Sequence, residues 1–265
     1  MPSAKEIPHG NEKILAVGPG GAGKTAGFLT LPGRKFIYLF DPSATATLRG
    51  HDVDYELFTP DILNLNAVTL KAGVADTKTR PQEPTTYVDW ETDFEAKLRE
   101  GFFDDYDVIG LDSMTTFSDI VMDRIMYLNG RFGKWPEQAD WTATMNTIKN
   151  ALRTLTSISG KTIYVTAHIE FKQEENSGRM MNVLSLIGRL RNSLPLLFSE
   201  IWQFFGDTDD KGKQRYYIRT ASDRHSPYIR STLRGLLPVE DVTIENWEHP
   251  ERYGLGALIK KSTST

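Results

Sequence analysis

A glycine-rich octapeptide near the amino terminus constrains the fold of this chain more than any other feature. It reads Gly18-Pro-Gly-Gly-Ala-Gly-Lys-Thr25 and follows the apolar run Ile14–Val17. Glycine has no Cβ, so such a segment can curl tightly and point its backbone N–H groups inward. If a strand enters this turn and a helix leaves it, those N–H groups lie at the positive end of the helix. The pattern therefore predicts an anion-binding loop between a strand and a helix.

The octapeptide fills the phosphate-loop pattern G-x-x-x-x-G-K-S/T, which predicts the binding of a nucleoside triphosphate together with Mg²⁺. In this pattern Lys24 brings positive charge to the β- and γ-phosphates, and the hydroxyl of Thr25 is a ligand for Mg²⁺. The strand-loop-helix context disfavours the alternative of a chance glycine-rich turn. The predicted nucleotide-binding residues are Gly18, Pro19, Gly20, Gly21, Ala22, Gly23, Lys24, Thr25 and Ala26.

Composition narrows the class of protein. A chain of 265 residues with 39% hydrophobic and 25% charged residues is typical of a globular domain with a proper core. It contains no apolar run long enough for a membrane span and no recognisable signal peptide, so we expect a cytoplasmic protein without a membrane partner. It contains no cysteine, which excludes disulfides and thiol catalysis. The net charge of −4 gives no whole-chain argument for nucleic-acid binding.

One stretch is locally basic. Lys211–Arg234 contains seven Lys or Arg residues and a single acidic residue, Asp223. Tyr216, Tyr217 and Tyr228 alternate with its arginines. Because aromatic rings stack on bases and arginines hold phosphates, this composition favours contact with single-stranded nucleic acid. The alternative is a solvated charged face.

Apolar strand patterns alternate with helical ones along most of the chain. This alternation predicts an α/β fold with a mostly parallel central sheet flanked by helices, followed by antiparallel strands, and ligands at the carboxyl ends of the parallel strands. The predicted strands are Lys13–Val17, Lys35–Phe40, Asp107–Leu111, Thr162–Thr166, Ile201–Phe205 and Arg215–Arg219, with a weaker candidate at Val242–Ile244. The predicted helices are the phosphate-loop helix, Trp90–Phe103, Met114–Leu128, one from Gln138 to Gly160, and Ile187–Phe198.

The polar segments between these elements predict loops. Ala72–Pro84 is expected to be a surface loop, Glu170–Arg179 a mobile loop and Lys260–Thr265 a frayed tail. We expect a single domain over residues 1–265, with a core of about 11–206, a β-rich extension of about 207–259 and the tail 260–265.

Two predicted strands end in polar residues suited to phosphate chemistry. The run Tyr106-Asp-Val-Ile-Gly-Leu-Asp112 delivers a carboxylate at a strand end, where phosphate-loop enzymes hold Mg²⁺ through water, on the strand next to strand 1. The alternative is a helix N-cap by Asp112 or Ser113. The strand at Thr162–Thr166 leads to His168, which we interpret as a polar sensor of the γ-phosphate. A structural histidine is equally compatible with that position.

These segments together resemble the RecA-type ATPase core. More narrowly, the order GPGGAGKT, KFIYLFDPSATATLRG, YDVIGLDS and TIYVTAHIE resembles phage-encoded RecA-like nucleotide-binding proteins, some of which act in single-strand annealing or recombination. The resemblance covers Lys13 to Leu233. It implies ATP and Mg²⁺ bound between subunits of a homo-oligomer, in the cytoplasm of a host cell. It also implies that single-stranded DNA meets the loop Glu170–Met181, and that recombination or replication proteins are partners. Lys24 and Thr25 match the Walker A motif, Asp112 the Walker B acid and His168 the sensor.

The sequence departs from that resemblance at one catalytic position. RecA-type enzymes place a water-activating Glu just after the second strand, where this chain has Asp41-Pro-Ser43, with Ser43 in the apparent place of the Glu. Asp41 can polarise the attacking water instead. Its alternative role is to start the Asp-Pro turn. With Asp41 in this role, the predicted catalytic residues are Lys24, Asp112, Asp41, His168 and Arg230.

The resemblance also implies a cation donated by a neighbouring subunit. The C-terminal stretch that approaches the nucleotide in the family matches Arg219–Arg230, so Arg224 or Arg230 is the candidate. The alternative is a solvated arginine-rich hairpin. The leading interpretation is an ATP-hydrolysing, RecA-like protein that acts on single-stranded DNA in phage-type recombination or replication. A nucleotide-gated scaffold without turnover, a packaging-type motor subunit and a phosphotransferase remain open.

Overall fold

The computed structural model describes residues 11–60, 83–173 and 178–263. The predicted surface loop Ala72–Pro84 therefore lies outside the described residues except for its last two positions. Residues 174–177 of the predicted DNA-facing loop and residues 264–265 of the predicted tail also lie outside them.

A single eight-stranded sheet forms the centre of the described structure, with strand order β10-β9-β8-β1-β5-β4-β2-β3. The pairs from β8 through β1, β5, β4 and β2 to β3 are parallel, whereas β8–β9 and β9–β10 are antiparallel. The predicted α/β class with C-terminal antiparallel strands is confirmed. The strands of this sheet are β1 Lys13–Val17, β2 Lys35–Leu39, β3 Asp54–Leu57, β4 Val108–Asp112, β5 Thr162–Ala167, β8 Glu200–Thr208, β9 Gln214–Arg219 and β10 Val239–Asp241; β6 Ile169–Gln173 and β7 Met180–Leu184 form a separate hairpin.

Helices cover both faces of the sheet because successive side chains of each parallel strand point to opposite sides. Leu15 and Val17 of β1 pack in the cluster that contains Trp90, Phe117 and Ile148, whereas Ile14 and Ala16 pack in the cluster that contains Phe28 and Leu255. The helices are α1 Lys24–Leu29, α2 Ala44–Leu48, α3 Thr86–Glu100, α4 Met114–Leu128, α5 Gln138–Ser157, α6 Leu190–Ser193 and α7 Gly254–Thr263.

The carboxyl ends of four parallel strands meet at one edge of the sheet. Val17 at the end of β1 pairs with Ala167 at the end of β5, and Leu39 of β2 pairs with Asp112 at the end of β4. This alignment brings the phosphate loop, Asp112 and the segment after β2 to the same place.

The strand order corrects one expectation. Asp112 was expected on the strand next to β1, but β5 lies between β1 and β4, where it pairs with both. The chain runs from β2 to the edge strand β3, returns to β4 on the other side of β2, and then places β5 between β4 and β1. Sequence spacing carries no information on that order, since β1, β2, β4 and β5 are all buried, mainly apolar runs.

Of the stretch Glu170–Arg179, predicted as a mobile loop, residues 170–173 lie instead in strand β6, which pairs with β7. Its polar side chains do not prevent strand pairing, because the hydrogen bonds between the two strands are made by the backbone. The hairpin is also held to a later loop: Asn182 donates its backbone N–H to the carbonyl of His225 (2.8 Å) and its side-chain amide to Ser226 Oγ (2.8 Å).

Two further predictions differ from the structure near the carboxyl end. Lys260–Thr263, expected in a frayed tail, continues α7, whose Leu255, Leu258 and Ile259 are buried at helical spacing. The predicted helix Ile187–Phe198 is only the short α6 followed by a 3₁₀ turn at Leu194–Leu197. Pro195 explains the break, because it has no N–H for the helical ladder.

Smaller differences lie at other elements. The weaker candidate strand at Val242–Ile244 is displaced to β10, which ends at Asp241. Helix α2 and strand β3 were not predicted, because α2 is short and β3 is an exposed polar edge strand. The expected division between core and extension stays a prediction, and its boundary lies within β8.

Candidate nucleotide-binding site

The phosphate loop joins the end of β1 to the first residue of α1, Lys24. Gly23 has φ 89°, a left-handed conformation that only glycine adopts without strain. At Gly18 a Cβ would lie 2.5 Å from the carbonyl oxygen of Phe204, so the loop and β8 approach too closely for any side chain. The glycines therefore fix both the curl of the loop and its contact with the sheet.

Lys24 is buried beneath this loop. Its Nζ donates hydrogen bonds to the carbonyl oxygens of Gly18 and Pro19, both at 2.8 Å, and lies 3.5 Å from His168 Nδ1. Burial lowers the pKa of Lys24 to about 8, and the nearby charges of Asp112 and Asp41 oppose this shift. The ammonium group is thus held at the loop by neutral carbonyls, where an anionic ligand would attract it more strongly.

Asp112 lies at the buried end of β4 and accepts two hydroxyl hydrogen bonds. Thr25 Oγ1 donates to its Oδ2 at 2.6 Å, and Thr166 Oγ1 of β5 donates to its Oδ1. Burial raises the pKa of Asp112, while the hydrogen bonds from Thr166 and Thr25 lower it. Ser113, not Asp112, is the N-cap of α4, since its Oγ accepts from the Thr116 N–H (3.4 Å). The carboxylate of Asp112 is therefore free of a capping role.

The Thr25 hydroxyl and the Asp112 carboxylate make a hard oxygen donor set. Mg²⁺ in nucleotide sites is held by a few oxygen ligands together with phosphates and water, not by an all-protein cage. The pair fits this description, since both side chains line the same cavity and Thr25 Oγ1 lies 2.6 Å from Asp112 Oδ2. Thr25 and Asp112 are the residues that would hold Mg²⁺ with a nucleotide.

Asp41 follows β2 and its carboxylate turns toward α4. Ser113 Oγ donates to Asp41 Oδ2 at 2.7 Å, and Thr116 Oγ1 donates to Oδ1 at 2.6 Å. Its backbone carbonyl accepts from the N–H of Ala44 at 3.0 Å, as the start of a turn requires. The backbone thus makes the predicted Asp-Pro turn, while the side chain, fixed by two hydroxyls, faces the same cavity as Lys24.

His168 directly follows β5 and precedes the β6–β7 hairpin. Its backbone N–H donates to Thr115 Oγ1 at 3.0 Å, and its ring lies beside Lys24. Burial lowers the pKa of His168, and the positive charge of Lys24 lowers it further. The position links the phosphate loop to the hairpin, as the sensor prediction requires. The sensor role itself stays a prediction.

One cavity of about 650 Å³ contains Lys24, Thr25, Asp41, Asp112 and His168. The structure therefore brings these predicted side chains together. Its lining extends well beyond them, to residues that the sequence reasoning missed. They include Thr47 of α2, Phe204 of β8, Lys213 just before β9, Gln214 and Tyr216 of β9, Val242, Thr243 and Ile244 after β10, and Trp247.

Arg230 lies away from this cavity. Its guanidinium donates to the carbonyl oxygens of Pro195 (2.8 Å) and Phe198 (2.7 Å), which precede β8, and its backbone pairs with Ile201 near the start of that strand. The phosphate loop lies at the opposite, carboxyl-terminal end of β1. Arg224 is exposed and bonded to its neighbour His225. The role of either arginine at a neighbouring subunit stays a prediction.

The basic stretch 211–234 is more neutralised than its composition suggests. Arg215 pairs with Asp241 (2.6 Å) and with Glu245, and Lys213 also pairs with Glu245 (2.6 Å). Arg219 pairs with Asp223 at 3.1 Å. The side chains of Lys213, Arg215 and Arg219 therefore form ion pairs with carboxylates from elsewhere in the chain or from the adjoining turn.

Its tyrosines do not form an exposed row either. Tyr216 lines the nucleotide cavity, Tyr217 stacks on Phe205 with ring centroids 5.6 Å apart, and Tyr228 packs half-buried against the core. The three rings therefore do not form the exposed row that the composition of this stretch suggested, and its contact with nucleic acid stays a prediction.

Two supporting residues had a weak signal in the sequence. Thr166 and Tyr164 lie in the predicted strand TIYVT, where a polar side chain near a strand end is a reasonable candidate for the site. Thr166 holds Asp112, and the Tyr164 hydroxyl donates to the backbone carbonyl of Lys24 at 2.6 Å. Trp247 had no such signal, since nothing near it in sequence resembles a binding motif.

These features define a phosphate-loop nucleotide-binding domain of the ATPase class. They are the glycine-rich loop between a strand and a helix, the buried lysine, and the carboxylate on a nearby strand that accepts hydrogen bonds from two hydroxyls. The chain belongs to the AAA domain family, which matches residues 10–226. The fold is similar to that of a KaiC-like protein from the hyperthermophilic archaeon Pyrococcus horikoshii OT3, with 11% identity, a TM-score of 0.45, and coverage of 92% of this chain and 88% of that chain. No curated protein matches the sequence. None of the helices among the described residues is long and apolar enough to cross a membrane.

Proposed function

We propose that this protein binds ATP with Mg²⁺, hydrolyses it, and couples hydrolysis to single-stranded DNA as a RecA-like oligomeric ATPase of phage-type recombination or replication. The observation that carries the hydrolytic part is the convergence of Lys24, Thr25, Asp112 and Asp41 on one cavity. Family membership supports nucleotide binding; the reaction and the DNA partner are the proposal.

Binding of the triphosphate follows from the geometry of Lys24. Its ammonium rests on two loop carbonyls, and the γ- and β-phosphates offer it full negative charges instead. The backbone N–H groups of the loop and of the first turn of α1 hold the remaining phosphate oxygens. Thr25 and Asp112 would hold Mg²⁺, which would neutralise negative charge on the phosphates.

Activation of the attacking water is assigned to Asp41. Its carboxylate is held by Ser113 and Thr116, so one lone pair of each oxygen is engaged and others remain for a water in the cavity. Such a carboxylate can accept a hydrogen bond from that water and orient it for in-line attack on the γ-phosphate. This assignment favours an ATPase over a nucleotide-gated scaffold, even though the Glu of RecA-type enzymes is absent here.

Contact with single-stranded DNA is assigned to the β6–β7 hairpin rather than to the basic stretch. The hairpin begins one residue after His168, at the edge of the nucleotide site. Phe171 on it is 58% exposed, and Lys172 and Arg179 are exposed as well. The exposed ring supports base stacking. Lys172 is the next residue of the strand, so its side chain points to the opposite face of the hairpin, where it pairs with Glu170 at 3.0 Å.

The substitution Asp41→Asn tests the hydrolytic proposal. We expect ATP affinity to remain and turnover to fall by about 10²–10⁴-fold, because a general base contributes that factor. Asp105→Asn is the matched control, since Asp105 is exposed at the opposite, amino-terminal end of β4. Both are measured by steady-state phosphate release and by equilibrium ATP binding.

Each other outcome has a definite meaning. Full turnover in Asp41→Asn removes Asp41 from the mechanism. Tight ATP binding by the wild-type protein without any turnover contradicts the ATPase proposal and supports the scaffold. Transfer of phosphate to a small acceptor instead of water supports the phosphotransferase.

A further inference from the structure

We propose that the segment after β10, together with Tyr216 and Trp247, is the wall that receives the base of the bound nucleotide, with Trp247 as its stacking surface. This inference rests on the proposed binding of a nucleoside triphosphate. It names a subsite built by residues 242–247, which lie outside the family match at residues 10–226.

The cavity lining contains two chemically different sets of residues. One set is the charged groups of the phosphate loop, Asp41 and Asp112. The other set, from β9 and the segment after β10, includes the apolar and aromatic side chains of Tyr216, Val242, Ile244 and Trp247, together with the polar Lys213, Gln214 and Thr243. A triphosphate chain matches the first set and does not use the apolar surface of the second. A flat heteroaromatic ring covalently joined to that triphosphate matches both at once.

The wall adjoins the phosphate loop directly. The ring of Tyr216 comes within 3.2 Å of the position that a Cβ would occupy at Gly23, so loop and wall are in contact. A ligand whose phosphates lie in the loop therefore has its next groups, ribose and base, beside this wall.

The segment that forms the wall is fixed in place. Val242 donates its N–H to the carbonyl of Tyr216 (2.9 Å), and Tyr216 donates its N–H to Thr243 Oγ1 (2.9 Å). On either side, Asp241 and Glu245 pair with Arg215. The ion pairs that neutralise Arg215 thus clamp both ends of the stretch 242–244, which gives this arginine a positioning role at the cavity.

Trp247 stands at the mouth of the cavity. Its side chain is 49% exposed, and its ring centroid lies 5.8 Å from that of His51, which follows α2. Thr47 of α2 lines the same cavity, so α2 and Trp247 flank the opening. A half-exposed indole at this point offers an open ring face to a base. Stacking acts on any base, so the wall provides affinity more than choice among bases.

Comparison of ATP with inorganic tripolyphosphate, each with Mg²⁺, tests the proposal, because only ATP carries a base. We expect Trp247→Ala to weaken ATP binding by about 10–100-fold, as loss of one base stack does, and to leave tripolyphosphate binding unchanged. Trp247→Phe keeps an aromatic face and should restore most of the ATP affinity. Trp135→Ala is the matched control, since Trp135 is 82% exposed and does not line the cavity.

Calorimetric titration of the four proteins with both ligands separates the outcomes. Equal weakening of ATP and tripolyphosphate by Trp247→Ala overturns the proposal, because the indole would then act on the loop and not on a base. Unchanged ATP affinity overturns it as well. A wild-type protein that binds tripolyphosphate as tightly as ATP retains the phosphate site but has no base wall, whereas one that binds neither contradicts the proposed function itself.

Discussion

Lys24 belongs to the phosphate-loop motif, is buried, and carries the positive charge of the site. The motif requires a lysine there, and the structure surrounds it with carbonyl oxygens and low-dielectric core, which lowers its pKa to about 8. A bound triphosphate acts in the opposite direction, because a nearby negative charge favours the protonated form. The pKa of Lys24 must therefore rise when nucleotide binds.

This coupling predicts proton uptake on binding. Below pH 7 Lys24 is already charged in the free protein, so ATP binding takes up little proton there. As the pH rises through about 8, a growing fraction of the free lysine is neutral and must gain a proton, so uptake increases toward one proton per nucleotide and ATP affinity falls. Calorimetry at pH 8.5 in buffers of different ionisation enthalpy measures the uptake. The residual binding of Lys24→Ala should show none, and equal uptake in that variant would contradict the assignment.

The individual motif residues could be predicted from the sequence, but the residues that hold them in place could not. Lys24, Thr25 and Asp112 follow from short spacings that local geometry requires. Thr166 donates a hydrogen bond to Asp112 only because β5 lies next to β4. Trp247 lines the cavity only because the chain comes back to the phosphate loop more than two hundred residues after it. No local pattern encodes such contacts.

The β6–β7 hairpin is a secondary-structure element that the composition of the sequence does not predict. A polar stretch with a glycine is typical of a loop, yet backbone pairing and the bond from Asn182 to His225 make it a defined hairpin. Its placement directly after His168 supports a contact that can respond to the nucleotide.

For this hairpin we predict a specific loss on Phe171→Ala. Binding of a labelled oligo(dT) should weaken by about 1–3 kcal/mol, the usual contribution of one base stack. Tyr55→Ala is the control, because Tyr55 is a 49% exposed aromatic on the edge strand β3. Fluorescence anisotropy over a range of salt concentrations measures both, and affinity should fall as salt rises. Equal affinity of Phe171→Ala and wild type would remove the hairpin from the interface.

Helix α7 is held to α1 by contacts that admit no side chain. The N–H of Leu255 donates to Thr30 Oγ1 at 2.9 Å, and a Cβ at Gly256 would lie 2.3 Å from the carbonyl oxygen of Thr30. The amphipathic spacing of Leu255, Leu258 and Ile259 was present in the sequence, but the composition of the last residues concealed it.

We therefore predict that Gly256→Ala destabilises the protein by about 1–3 kcal/mol, the usual cost of overpacking. Thermal or denaturant unfolding measures the change. Lys260→Ala, an exposed position on the same helix, should stay within about 0.5 kcal/mol of wild type. An unchanged stability of Gly256→Ala would show that α7 is not packed on α1 in solution.

At the scale of the whole molecule, the sheet explains the site. Parallel strands β1, β5, β4 and β2 end at one edge, and the antiparallel strands β9 and β10 extend the sheet so that the segment after β10 closes the cavity. The α/β class was predictable from alternating apolar runs. The strand order was not, because pairing between distant strands is decided by packing of the complete sheet.

Assembly belongs to this scale as well. The proposed homo-oligomer places the nucleotide between subunits, and Arg224 and Arg230 lie outside the cavity of their own chain, so any catalytic contact from them must reach a neighbour. Recombination or replication proteins remain the proposed partners of that assembly.

Phosphate release from ATP and Mg²⁺, measured with and without single-stranded DNA, decides whether the protein is a DNA-coupled ATPase. We predict turnover in the wild-type protein that rises with DNA and disappears in Lys24→Ala. Turnover that persists in Lys24→Ala, or ATP binding with no phosphate release under either condition, would contradict it.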